Sequence, residues 1–123
     1  MITGSIISSN SEDGIILGDS AQAAITGSTI SKNGTDGIHL WGEASLELVG
    51  CRILRNQRYG VSVYLPVCVD DYRPWWIFTG RVIGKGNTIL GTDEPDGNKK
   101  GAVCPPPALD FLMTEDGGSW GPF

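Results

Sequence analysis

Three glycines, Gly4, Gly27 and Gly50, stand 23 residues apart, and the same interval relates Asn10, Asn33 and Asn56 as well as Gly14, Gly37 and Gly60. Apolar positions keep the period: Ile7, Ile30 and Ile53; Ile15, Ile38 and Val61; Leu17, Leu40 and Val63; Ala23, Leu46 and Val69. A fixed period that carries turn residues and core residues together reassigns the whole chain, because each copy must then fold like the last. A fourth, imperfect copy is expected from Gly80, with Val82, Ile83, Asn87 and Ile89, after an inserted segment Asp70 to Trp76.

Within a copy the apolar residues alternate. Ile38 and Leu40 point one way and His39 and Trp41 the other, which is strand periodicity. Ser28 to Ser31, Gly37 to Trp41 and Ala44 to Val49 read as short strands separated by the turn residues Asn33-Gly34, Asp36-Gly37 and Gly42. Three short strands per copy, repeated in register, bury their apolar sides only by coiling, with each coil about 4.8 Å above its neighbour. Eighteen glycines and seven prolines exclude a helical bundle, and 40% apolar residues exclude a disordered chain. The expectation is an all-β parallel solenoid of about four coils. Asn10, Asn33 and Asn56 fall at one bend of successive coils, where stacked amides can bond one another and satisfy corner backbone groups.

Gly27-Ser28-Thr29-Ile30-Ser31-Lys32-Asn33 with Gly37-Ile38-His39-Leu40 resembles the right-handed parallel β-helix repeats of the pectate-lyase-like superfamily. The resemblance covers residues 3 to 65 well and 77 to 90 less well. It implies a right-handed coil and an extracellular or cell-surface setting. It leaves function open among lyases, hydrolases, adhesins and repeat proteins without activity. Residues 1–90 are assigned to β-helix repeats and 91–123 to a C-terminal loop and cap, with Ala108 to Met113 as an irregular plug over the last coil. The first coil opens inside a repeat with no cap before it. Either more repeats precede it or a second copy covers it, so the expected partners are a homo-oligomer mate or further repeats of a longer chain, with a polysaccharide as the alternative.

The charge of −5 argues against nucleic acid, and no apolar run approaches the roughly 18 residues of a membrane span. Met1 to Gly4 has no signal-peptide character. No catalytic residue is assigned. The outward column Ile16, His39, Ser62 holds no carboxylate pair for glycoside hydrolysis, and Asp13 and Asp36 precede glycines as turn residues do. His39, the sole histidine, has no orienting partner evident in sequence and reads as an uncommitted surface side chain; Arg52, Arg55 and Arg58 read as solvated surface. No metal or other cofactor is expected, because Cys51, Cys68 and Cys104 lack zinc-site spacing. If a disulfide forms, Cys68 pairs with Cys104; three free thiols is the alternative. Thr92 to Asn98 reads as a solvated turn.

The outward aromatics are the most distinctive surface feature. Trp41 and Tyr64 are one period apart, and the insertion adds Asp70, Asp71, Tyr72, Arg73, Trp75 and Trp76. These eight residues suit an interface or a carbohydrate platform, since flat rings stack on sugars while Asp and Arg bond hydroxyls. The alternative is that Trp75 and Trp76 fold back to cover the coil beside the insertion, and self-packing or subunit contact is preferred to sugar binding because a small domain needs its aromatics as core. Two functions follow. The first is a non-catalytic structural or interaction module that self-associates through its bare coil or its aromatic face. The second is a carbohydrate-binding or polysaccharide-degrading domain.

Overall fold

The computed structural model describes residues 1–121; Pro122 and Phe123, the end of the expected C-terminal segment, lie outside the described residues. The described residues make thirteen strands: β1 (Ile2–Thr3), β2 (Ile6–Ser8), β3 (Ile15–Leu17), β4 (Gln22–Thr26), β5 (Thr29–Ser31), β6 (Ile38–Leu40), β7 (Ser45–Val49), β8 (Arg52–Leu54), β9 (Tyr59–Val63), β10 (Arg81–Lys85), β11 (Thr88–Ile89), β12 (Gly101–Cys104) and β13 (Gly118–Trp120). They stack into three sheets, ordered β1-β4-β7-β10-β13, β11-β8-β5-β2 and β12-β9-β6-β3. Every pairing but one is parallel, and the register of the first three coils is the 23-residue period: Ile7 opposite Ile30, Ile30 opposite Ile53, Ile38 opposite Val61. Like residues therefore lie over like, which is a parallel β-helix.

The interior is the stack of inward side chains. Ile25, Ile30, Ile38, Leu40, Leu48, Ile53, Val61 and Val63 are fully buried, each worth roughly 1.5–3 kcal/mol relative to exposure. Their counterparts in the first coil, Ile2, Ile7 and Ile15, are only half-buried, their strands being the outermost of the three described sheets. Gly4, Gly27, Gly50 and Gly86 share φ near +60° and an open surround. The repeated glycine thus answers to a left-handed corner and not to crowding.

The fourth coil departs from the expected numbering. Arg81 pairs with Ser45 and Val82 with Leu46, an offset of 36 residues like that between Cys51 and Asn87. Thirteen residues beyond the 23-residue period are therefore inserted, about 65–77, not the seven from Asp70 to Trp76. Gly86, not Gly80, is the fourth corner glycine, and Val82, not Val69, continues the Leu46 column. The coil closes later still, because Gly101–Cys104 pairs parallel with β9. Repeats therefore run past residue 90, up to Cys104.

Asn87 accordingly continues the column of Ser5, Ser28 and Cys51: its Oδ1 accepts from Cys51 N at 2.8 Å. The asparagine ladder runs instead through Asn98. Nδ2 of Asn10 donates to Oδ1 of Asn33 at 2.9 Å, Asn33 to Asn56 at 2.9 Å, and Asn56 to Asn98 at 2.8 Å. Each acceptor oxygen also takes the backbone N–H of the asparagine above it. Asn98 is fully buried, so Thr92 to Asn98 is not simply a solvated turn; it carries the last rung. Beyond it, Leu109 and Leu112 are fully buried and Phe111, Met113 and Trp120 pack on the core. β13 adds antiparallel to β10 and covers its edge.

Candidate functional site

The outward face of the β3-β6-β9-β12 sheet carries the column Ile16, His39, Ser62, Cys104. The 65–77 insertion leaves the coil after Tyr64 and folds back over this face. Three anchors, Cys104, Arg58 and Tyr64, pin it. Cys68 and Cys104 form a disulfide. Arg58, read from sequence as solvated, donates from Nη2 to the Cys68 carbonyl at 3.1 Å and pairs through Nη1 with Asp70 at 3.0 Å. Tyr64 OH donates to the Asp71 carbonyl and accepts from Arg73 N, both at 2.9 Å. The Arg58 hydrogen bond, helped by the charge of Lys100, lowers the pKa of Asp70 below the usual carboxylate range.

The aromatic residues come together here. Tyr72 stacks on Tyr64 with centroids 5.6 Å apart, Trp76 meets Tyr64 edge-on at 5.9 Å, and Trp75 meets Trp76 edge-on at 5.9 Å. The Arg73 guanidinium lies 6.0 Å over Trp75 and Asp71 pairs with Arg73 at 2.9 Å. Tyr64 is buried, but Trp75 and Trp76 remain 68% and 43% exposed. The short 3-10 turn Pro74–Trp76 holds both indoles at the surface.

Two clefts that share His39 open on this face, beside a larger one of about 620 Å³ bordered by Trp41 and Trp75. The apolar one, of about 280 Å³, is lined by Ile16, His39, Trp41, Tyr64 and Trp76. The polar one, of about 300 Å³, is lined by Asp13, Thr35, Asp36, His39, Arg58, Val69, Asp70 and Asp71. All eight surface candidates named from sequence are thus on one side of the molecule. Trp41, Tyr64, Trp76, Asp70 and Asp71 line the clefts, whereas Tyr72, Arg73 and Trp75 support or flank them. Gly18 makes the apolar cleft possible, since a Cβ there would run into the Trp41 indole.

His39 is not the uncommitted side chain expected. Its Nδ1 lies 2.7 Å from Ser62 Oγ and 3.4 Å from Asp36 Oδ2, and the side chain is only 12% exposed. Asp36 is likewise more than a turn residue. Its Oδ1 accepts from Tyr59 N and its Oδ2 from Ser62 Oγ, both at 2.9 Å. Asp13 repeats the role one coil earlier, accepting from Asp36 N at 2.9 Å and from the Thr35 hydroxyl. The sequence does not link Asp36 to Ser62 because they are 26 residues apart, off the period by three. The signal available was that Ser62 shares the outward column with His39. Ser62 itself is fully buried, so it has no access to a substrate as a nucleophile. Among the described residues no cluster of His, Cys, Asp or Glu is arranged to hold a metal ion.

With this architecture in view, comparison with known families is decisive about the fold: the family model described as a right handed beta helix region matches residues 1–93. The chain belongs to the right-handed β-helix family. No curated protein and no solved structure matches it. Membership of this β-helix family does not by itself specify a function.

Proposed function

We propose that this β-helix is a non-catalytic carbohydrate-binding module, with a saccharide seated on the Trp41–Tyr64–Trp76 cleft and its hydroxyls met by the adjoining polar cleft. One observation carries the reading: a pinned insertion holds Trp75 and Trp76 outward beside a cleft whose walls are aromatic. Burying those rings would stabilise a small domain, so their exposure suits a ligand that supplies the missing apolar contact. The polar cleft, at about 300 Å³, sits at the low end of small-molecule sites, roughly 300–1,000 Å³, and the apolar one, at about 280 Å³, just below it. Binding without turnover is supported by the buried state of Ser62 and by the engagement of Asp13, Asp36, Asp70 and Asp71 with protein donors.

A glycan array followed by calorimetry tests it. Trp41→Ala and Trp76→Ala should each weaken the best glycan about tenfold, equivalent to about 1.4 kcal/mol. Failure of the intact protein to bind any glycan would refute the proposal.

A second reading rests on the first coil. β1, β2 and β3 are the outermost strands of all three sheets, Met1 and Ile6 are exposed, and the inward Ile2, Ile7 and Ile15 are half-covered. At the other end Leu109, Leu112 and β13 close the stack. The proposed occupant of these strand edges is a second copy stacked head to head about a two-fold axis, which pairs each edge with its own equivalent. Light scattering should give a dimer that Ile6→Lys dissociates, because a lysine on an edge strand opposes pairing. A monomer at every concentration tested would refute it.

A further inference from the structure

The hydrogen-bond geometry around the only histidine constrains where its proton sits. Ser62 Oγ has one proton and two partners, Asp36 Oδ2 at 2.9 Å and His39 Nδ1 at 2.7 Å. Asp36 offers only acceptors when ionised, so the Ser62 proton goes to the carboxylate. The Ser62 oxygen must then accept from Nδ1, and the secondary approach of Nδ1 to Asp36 Oδ2 at 3.4 Å agrees with an N–H at that nitrogen. A neutral imidazole carries one proton, which leaves Nε2 as a bare acceptor. Nε2 makes no hydrogen bond among the described residues, yet no side-chain nitrogen or oxygen there is both sealed from solvent and unpartnered. Nε2 is therefore open to solvent, and His39 lines both clefts.

We propose that Asp36 and Ser62 are positioning residues that lock His39 in its Nδ1–H form, so that Nε2 accepts a hydrogen bond from a ligand hydroxyl where the aromatic and polar clefts meet. The ligand half of this proposal rests on the carbohydrate reading; the tautomer half does not. The recognised group is a neutral donor beside an apolar ring face, which is the pattern of a saccharide with one hydroxyl directed off the stacked face. Arg58 in the polar cleft is already paired with Asp70, and the acidic groups Asp13, Asp36 and Asp71 complete the surround. A hydroxyl therefore has a neutral acceptor in His39 that does not compete for the carboxylates.

With one histidine in the chain, long-range proton–nitrogen NMR reads the lock without ambiguity. The intact protein, without ligand and with the imidazole neutral, should show a pyrrole-like Nδ1 and a pyridine-like Nε2. Free histidine prefers the reverse arrangement, so the reverse spectrum would overturn the proposal. Ser62→Ala should shift the population toward the Nε2–H form, and Asp36→Asn, which keeps the shape while removing the charge, should do the same. The wild-type spectrum decides even if either variant misfolds. A glycan taken from the array should then move the Nε2 resonance more than Nδ1, and an unmoved Nε2 in a saturated complex would overturn the ligand half. If no glycan binds, the carbohydrate reading falls, and the ligand half with it, while the ligand-free spectrum still decides the lock.

Discussion

Replacing Asn56 by alanine removes one amide from the middle of the ladder. Its Oδ1 accepts from Asn33 N at 3.1 Å and from Asn33 Nδ2 at 2.9 Å, and its Nδ2 donates to Asn98 Oδ1 at 2.8 Å. Asn33, Asn56 and Asn98 are all fully buried, so no solvent replaces those bonds. Asn98 Oδ1 keeps the Asn56 backbone N–H at 3.1 Å, but two donors of Asn33 are left without an acceptor. At roughly 1–3 kcal/mol for each buried unsatisfied group, the loss is about 4 kcal/mol. A chain of this length has roughly 6–18 kcal/mol in all, so the change is large. Asn10→Ala is the internal control. Asn10 is exposed, and the Asn33 Oδ1 it leaves still accepts from the backbone N–H of residue 10, so the cost is about 0.5–1 kcal/mol. Guanidinium unfolding followed by far-UV circular dichroism measures both, with the slope checked for constancy. The reasoning fails if Asn56→Ala costs no more than Asn10→Ala, because burial of the ladder would then carry no energetic weight.

Other expectations follow from the same contacts. Reducing the Cys68–Cys104 disulfide, which closes a separation of 36 residues, should cost about 4 kcal/mol by chain entropy; reduced and oxidised melts compare directly. Gly50→Ala should cost about 1 kcal/mol, since its φ is +62° in open space. Gly37→Ala should cost more, because a Cβ would meet Gly60 O at 2.7 Å and Asn56 Nδ2 at 2.9 Å; similar melting temperatures for the two would contradict this. Gly18→Ala should displace the Trp41 indole, changing tryptophan emission and weakening any glycan while barely moving the melting temperature. The Cys51 thiol, its pKa raised chiefly by burial, stays protonated and should react with a disulfide reagent only as the protein unfolds. Asp70 has its pKa lowered by Arg58, so its hold on the insertion is present above the normal carboxylate range and lost as pH falls through the lowered value; Arg58→Met should return the Asp70 titration upward by NMR.

The 23-residue period was enough to read the coil, its three strands per turn and the stacking of Asn10, Asn33 and Asn56, because a parallel stack forces like residues into one column. The same period misplaced the fourth coil. Loops can lengthen at small entropic cost, so thirteen extra residues before Phe78 and six more before Asn98 broke the count without breaking the hydrogen-bond register. Trp41, Tyr64 and the insertion could be named as a patch from spacing and composition, but not which rings would line a cleft. Asp36, Ser62 and His39 show the other limit. Sequence places two of them on the outward column, yet their network depends on a bond between the bend of one coil and the strand of the next, and a linear period records only what lies directly overhead. The repeat, then, determined the axis and the columns; contacts between columns, and between the coil and its insertion, were decided in three dimensions because side chains bond across distance and not along the chain.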